Sequence, residues 1–134
     1  MKLSLKKSFS MMVLTFVLVL AFAASAFAAN QSYEFYYNGD PSSPYNAHVN
    51  GYIVGDAVVS GTTVTITLAG NNYGNLLADN GSTGFVTASK SLNASGNSVF
   101  TFTNSDPSED IDTQLFVNAG PHSQTYNLTI HWKN

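Results

Sequence analysis

The sequence has no cysteine and no arginine. Without thiols, an exported chain of this size cannot be stapled by disulfides and must be held by its apolar core. Cysteine nucleophiles and thiolate metal sites are excluded as well. Cations are scarce, since Lys2, Lys6, Lys7, Lys90 and Lys133 are the whole set. Beyond residue 28 two lysines face eight carboxylates, a formal charge of −6. Such a surface offers no basic footprint for nucleic acid and no attraction to anionic lipid. Apolar stretches that could span a bilayer are missing after residue 30, and so is any useful 3.6-residue apolar period.

The one long apolar run lies at the start. Lys2, Lys6 and Lys7 precede Met11 to Ala23, and Ala26-Phe27-Ala28 fits the small-residue rule for signal cleavage. The run is short for a spanning helix, which needs about 20 apolar residues. Residues 1–28 are therefore expected to be a secretion signal, with Ala24-Ser25-Ala26 as a second possible cleavage site. Residues 29–134 form a single domain, exported and not inserted in the membrane once the signal is removed. About 106 residues suffice for one core.

That domain reads as all-β. Period-2 stretches recur between Gly, Asn, Asp, Ser and Pro: Ser32 to Tyr37, Gly51 to Val59, Thr62 to Ala69, Tyr73 to Ala78, Gly84 to Ala88, Ser98 to Asn104, Ile111 to Asn118 and Gln124 to Trp132. In the last, Tyr126, Leu128, Ile130 and Trp132 share a face opposite Asn127, Thr129 and His131. Seven or eight short strands at this spacing predict an immunoglobulin-like antiparallel β-sandwich.

No catalytic signature is present: there is no G-x-S-x-G elbow, no H-E-x-x-H and no phosphate loop. The chain is not expected to be an enzyme. Asp106-Pro107-Ser108-Glu109-Asp110-Ile111-Asp112 is oxygen-rich, as calcium loops are, but lacks their alternation and mid-loop glycine, so it also reads as a solvated loop. Tyr33, Phe35, Tyr36, Tyr37 and Tyr45 are either a sugar-stacking platform or ordinary strand and core material. In Val117-Asn118-Ala119-Gly120-Pro121-His122-Ser123-Gln124-Thr125-Tyr126, Gly120-Pro121 marks a turn, so His122 stands at the entrance to the last strand and Tyr126 four residues on. An imidazole and a phenol suit haem iron. On spacing alone, a lone His beside a turn is usually an ordinary polar surface residue.

From about Ser32 to Trp132 the chain resembles a NEAT domain, the near-iron-transporter module with which Gram-positive bacteria capture and pass on haem. The family carries Y-x-x-x-Y at the start of its last strand. His122-Ser123-Gln124-Thr125-Tyr126 occupies that stretch, with Tyr126 matching the second Tyr and His122 standing in place of the first. The family's short helical lip corresponds to Ala47-His48-Val49-Asn50-Gly51-Tyr52, with Ala47 where a Ser is frequent and Val49 where a Met is common.

The resemblance implies a secreted haem-binding protein that sequesters or relays haem, with other haem-transfer proteins or haemoproteins as partners. It implies His122 as axial ligand of the haem iron, supported by Tyr126. It places His48 on the distal side, Tyr52 against the porphyrin plane, and Tyr45, Val49, Phe116 and Val117 around the pocket. An imidazole in place of a phenolate would raise the iron's reduction potential. The rival expectations are a carbohydrate-binding or surface-adhesive β-sandwich without haem, and a structural protein that polymerises through edge strands.

Overall fold

The computed structural model describes residues 28–133. Residues 1–27 of the expected signal, and Asn134, lie outside the described residues. Ten short strands form two antiparallel five-stranded sheets, two or three more strands than the turn spacing suggested. They are β1 (Ala28–Gln31), β2 (Tyr33–Tyr37), β3 (Ala57–Ser60), β4 (Thr63–Leu68), β5 (Tyr73–Asp79), β6 (Phe85–Thr87), β7 (Ser89–Leu92), β8 (Ser98–Thr103), β9 (Ile111–Val117) and β10 (Gln124–Trp132). The first sheet runs β1-β3-β4-β8-β7 and the second β2-β10-β9-β5-β6. One short helix, α1 (Asn46–Asn50), follows β2, and a 3-10 turn, Gly120–His122, joins β9 to β10.

Strand alternation decides which side chains fill the space between the sheets. In β4, Val64, Ile66 and Leu68 are buried while Thr63, Thr65 and Thr67 face outward. β10 does the same with Leu128, Ile130 and Trp132. Phe35 and Phe100 are the largest side chains wholly enclosed by this core. Gly51 to Val59 is not one strand. Gly51 and Tyr52 continue the exit of α1, with their N–H groups donating to His48 and Val49. Ile53 makes a single bridge to Leu68, and only Ala57–Ser60 pairs as β3.

The feature that places the site is the closure of one sheet edge. Among the described residues β2 is the last strand of its sheet and pairs only with β10, so alternate backbone groups point away from the sheet without a strand partner there. Two asparagines of α1 take the missing strand's place. Asn50 Oδ1 accepts from the Phe35 N–H at 2.6 Å, and its Nδ2 donates to the Phe35 carbonyl at 3.3 Å. Asn46 Oδ1 accepts from the Tyr37 N–H at 2.7 Å, and its Nδ2 donates to the Asp40 carbonyl at 2.9 Å. Asn46 and Asn50 are four apart, so both amides leave the same face of α1. Val49, also on α1, is buried in the core.

Replacing Asn50 with Ala leaves the Phe35 N–H and carbonyl unpartnered, a cost of about 1–3 kcal/mol. Urea denaturation of Asn50→Ala should show that loss, and amide exchange at Phe35 should quicken. An unchanged midpoint with Phe35 still protected would contradict the role given to Asn50. The Tyr33 hydroxyl, by contrast, is buried with no hydrogen-bond partner among the described residues. Tyr33→Phe removes an unsatisfied group and should leave stability equal or higher by the same measurement.

Candidate functional site

Because α1 is clamped to β2, it overhangs the end of the second sheet where β9 turns into β10. Two cavities of about 560 and 530 Å³ lie beneath it, within the range of small-molecule pockets. They share His48, Gln124 and Tyr126 as lining and so adjoin; together they are called the slot. Tyr37, Tyr45 and Val49 wall one part, and Tyr52, Val117 and Pro121 the other.

The slot is built of rings. Tyr37 lies 5.1 Å from Tyr45 and 5.9 Å from Tyr126 between ring centroids. His48 sits edge-on to Tyr52 at 5.3 Å, and Tyr52 edge-on to Tyr73 at 5.8 Å, which continues into the core at Phe100. The Tyr52 hydroxyl is 2.9 Å from His48 Nε2. Burial raises the Tyr52 pKa, and the nearby Tyr126 phenol raises it further. Tyr73, desolvated and then opposed by Tyr52, is pushed up to about 12. The Tyr52 hydroxyl and His48 Nε2 share a hydrogen bond whose donor is set by the imidazole tautomer.

Among the described residues no lysine lines either cavity. Lys90, whose ammonium reaches nearest this end of the core, donates to the Tyr73 carbonyl at 2.7 Å and to Asn71 Oδ1 at 2.8 Å.

Six of the residues singled out from the sequence come together at the slot: Tyr45, His48, Val49, Tyr52, Val117 and Tyr126. Phe116 does not. Alternation along β9 turns Leu115 and Val117 inward and Phe116 outward. Its ring covers Gly74, where an added Cβ would come within 2.6 Å of Phe116 Cδ1. His122 ends the 3-10 turn, and its side chain lies outside what the structure describes. The strand entrance does turn: Gly120 has φ +62°, and the Ser123 hydroxyl donates back to the Gly120 carbonyl at 2.9 Å.

The five clustered aromatics do not form one platform. Tyr33 and Phe35 enter the core, Tyr37 and Tyr45 line the slot, and Tyr36 stacks on His131 outside, 4.7 Å between centroids. The acidic stretch is likewise dispersed, with Asp106 bonded to Ser108, Asp110 to His131 and Asp112 to Thr129. Among the described residues no three His, Asp or Glu side chains converge in a way that could hold a metal ion.

Gln124 belongs to the slot without having been read as a candidate, and Tyr37 had been read only as part of a sugar-stacking or packing group. Strand parity offered a signal for Tyr37, which shares a face with Phe35. The pairing of Asn46 with Asn50 at helical spacing was the signal for the clamp.

No family model and no curated protein matches the sequence. Solved structures do match the fold. One is the NEAT5 domain of IsdX2, a B. anthracis hemophore in complex with heme, at TM-score 0.64 and 16% identity, covering 80% of this chain and 95% of that one. Another is a point mutant of the same NEAT5 domain, also in complex with heme, at TM-score 0.64 and 15% identity, covering 80% and 94%. The chain therefore has the NEAT-domain fold, as its residue pattern suggested.

The buried phenols set an alkaline limit. Tyr73 holds its proton up to about pH 12, and Tyr33 is raised further by burial. Below pH 10 both folded and unfolded chains keep these protons, so the contribution to stability is intact. Above pH 10 the unfolded chain ionises first, and stability falls as the pH climbs towards 12. Tyrosinate absorbance should show fewer than the seven tyrosines ionising near pH 10 in the folded protein. Seven ionising together, with the fold retained, would contradict this burial.

Proposed function

We propose that this chain binds haem in the slot beneath α1 and acts outside the cell as a carrier that sequesters or relays it. The observation that carries the reading is the convergence of His48 and Tyr126, flanked by Tyr37 and Tyr52, on two adjoining aromatic cavities of ligand size. The residues present fit the group: flat ring walls, apolar Val49 and Val117, and nitrogen and phenol donors at the entrance. The heme-bound structures that share the fold support the same reading.

Bound haem supplies an iron that imidazole or phenolate can ligate, together with two anionic propionates. His122 is the proposed axial ligand. Its chain neighbours Pro121 and Ser123 both line the cavity, which puts its backbone at the rim. Tyr126 supports it with a phenol, and His48, tied to Tyr52, faces the slot from the lip. With no lysine lining the slot among the described residues and Lys90 bonded elsewhere, the propionates would lie towards solvent. The sequence pattern of an export leader supports action outside the cell.

Purified protein titrated with hemin should develop a Soret band of histidine-ligated type and lose Trp132 fluorescence. His122→Ala should abolish that spectral type, and Tyr126→Phe should weaken binding by about 10–100-fold, as loss of an outer partner does. Absence of any Soret band would sink the haem reading. A tyrosinate-type spectrum that survives in His122→Ala would instead remove the imidazole from the iron.

A further inference from the structure

The outer face of the second sheet carries a separate trough, on the side away from the core and the slot. A cavity of about 570 Å³ lies there, floored by Asp112, Gln114, Asn127 and Thr129 and flanked by Phe85 and the Asn38-Gly39 turn. Strand register builds the floor. Gln114 stands opposite Asn127, and Asp112 opposite Thr129, on neighbouring strands β9 and β10. The Thr129 hydroxyl donates to Asp112 Oδ1 at 2.7 Å, which fixes that carboxylate and leaves its second oxygen open. The carboxamides of Gln114 and Asn127 make no side-chain hydrogen bond among the described residues. Phe85 is 45% exposed at the flank, a large apolar ring left in water.

The chemistry of this trough is specific. Two carboxamides offer N–H donors and carbonyl acceptors, the carboxylate accepts, and the Thr hydroxyl completes a mixed set. A ligand rich in hydroxyls, each both donor and acceptor, satisfies such a set; an apolar ligand would leave it unpaired at a cost. The exposed ring supplies an apolar surface for the C–H face of a pyranose. Charge narrows the choice. Asp112 stands in the floor, no cation lines the trough, and the domain is strongly acidic, so phosphate, sulfate and uronate groups are repelled. Protein docking wants an apolar centre with a polar rim, the reverse of this polar floor. We propose that the trough binds a neutral sugar unit of a glycan, independently of the haem slot.

Native affinity electrophoresis of the purified protein in gels containing mannan, dextran or galactan tests this, with polygalacturonate as the anionic counterpart. Retardation by at least one neutral polysaccharide and none by polygalacturonate is expected. Phe85→Ala, and Gln114→Ala combined with Asn127→Ala, should each weaken retardation tenfold or more while leaving the thermal midpoint and hemin titration unchanged. Free migration in all three neutral gels, or retardation that both variants retain, would overturn the proposal. Because the hemin titration reads the other face, neither result decides the other.

Discussion

Two uncharged amides hold the lip where it is, and the slot exists only because they do. Asn46 and Asn50 give β2 the hydrogen bonds that a further strand would have given. A real strand would have extended the sheet and closed the gap. A one-and-a-half-turn helix satisfies the same backbone groups while standing off the sheet end, so an edge that must be covered becomes a roof. His48 lies between the two clamping positions, and Tyr52 two residues beyond them, so their placement over Tyr126 follows from the same bonds.

Electrostatics then separates this slot from an anion site. Its polar groups are phenols, an imidazole, the Gln124 amide and the Ser123 hydroxyl, and desolvation raises the pKa of Tyr52 and of the adjacent Tyr73. An environment of neutral rings favours a flat, largely apolar ligand whose charged substituents stay outside. The opposite sheet face has another character, with a fixed carboxylate and open amides. One fold thus presents an aromatic cleft at its end and a hydrophilic trough on its flank.

Much of this was legible in the sequence wherever burial on one side imposes period 2. Thr63 to Leu68 and Gln124 to Trp132 announce their strands and their faces because each packs on one core. Ala28–Gln31 and Ser89–Leu92 do not, since both are almost wholly exposed and exist through backbone pairing with β3 and β8. The lip residues were found through family resemblance, not periodicity, because a five-residue helix leaves no period to read. Phe116 shows the limit of hydrophobicity as a guide. Its parity with Leu115 and Val117 said outward, and the outward ring is tolerated because Gly74 leaves room beneath it. The clamp escaped notice because the four-residue spacing of Asn46 and Asn50 does not by itself reveal bonds to a backbone 9 and 15 residues away.

The first strand lies where the expected leader would end. β1 shields the outer rim of β3 through four register pairs, the first being Ala28 with Ser60. If the leader is removed after Ala28, as the small-residue pattern indicates, three pairs survive and β3 stays covered. A cut two residues earlier preserves all four, whereas one a few residues later would strip the rim and offer β3 to a neighbouring molecule. The position of the chain's first residue would then decide how much of the β3 edge is paired.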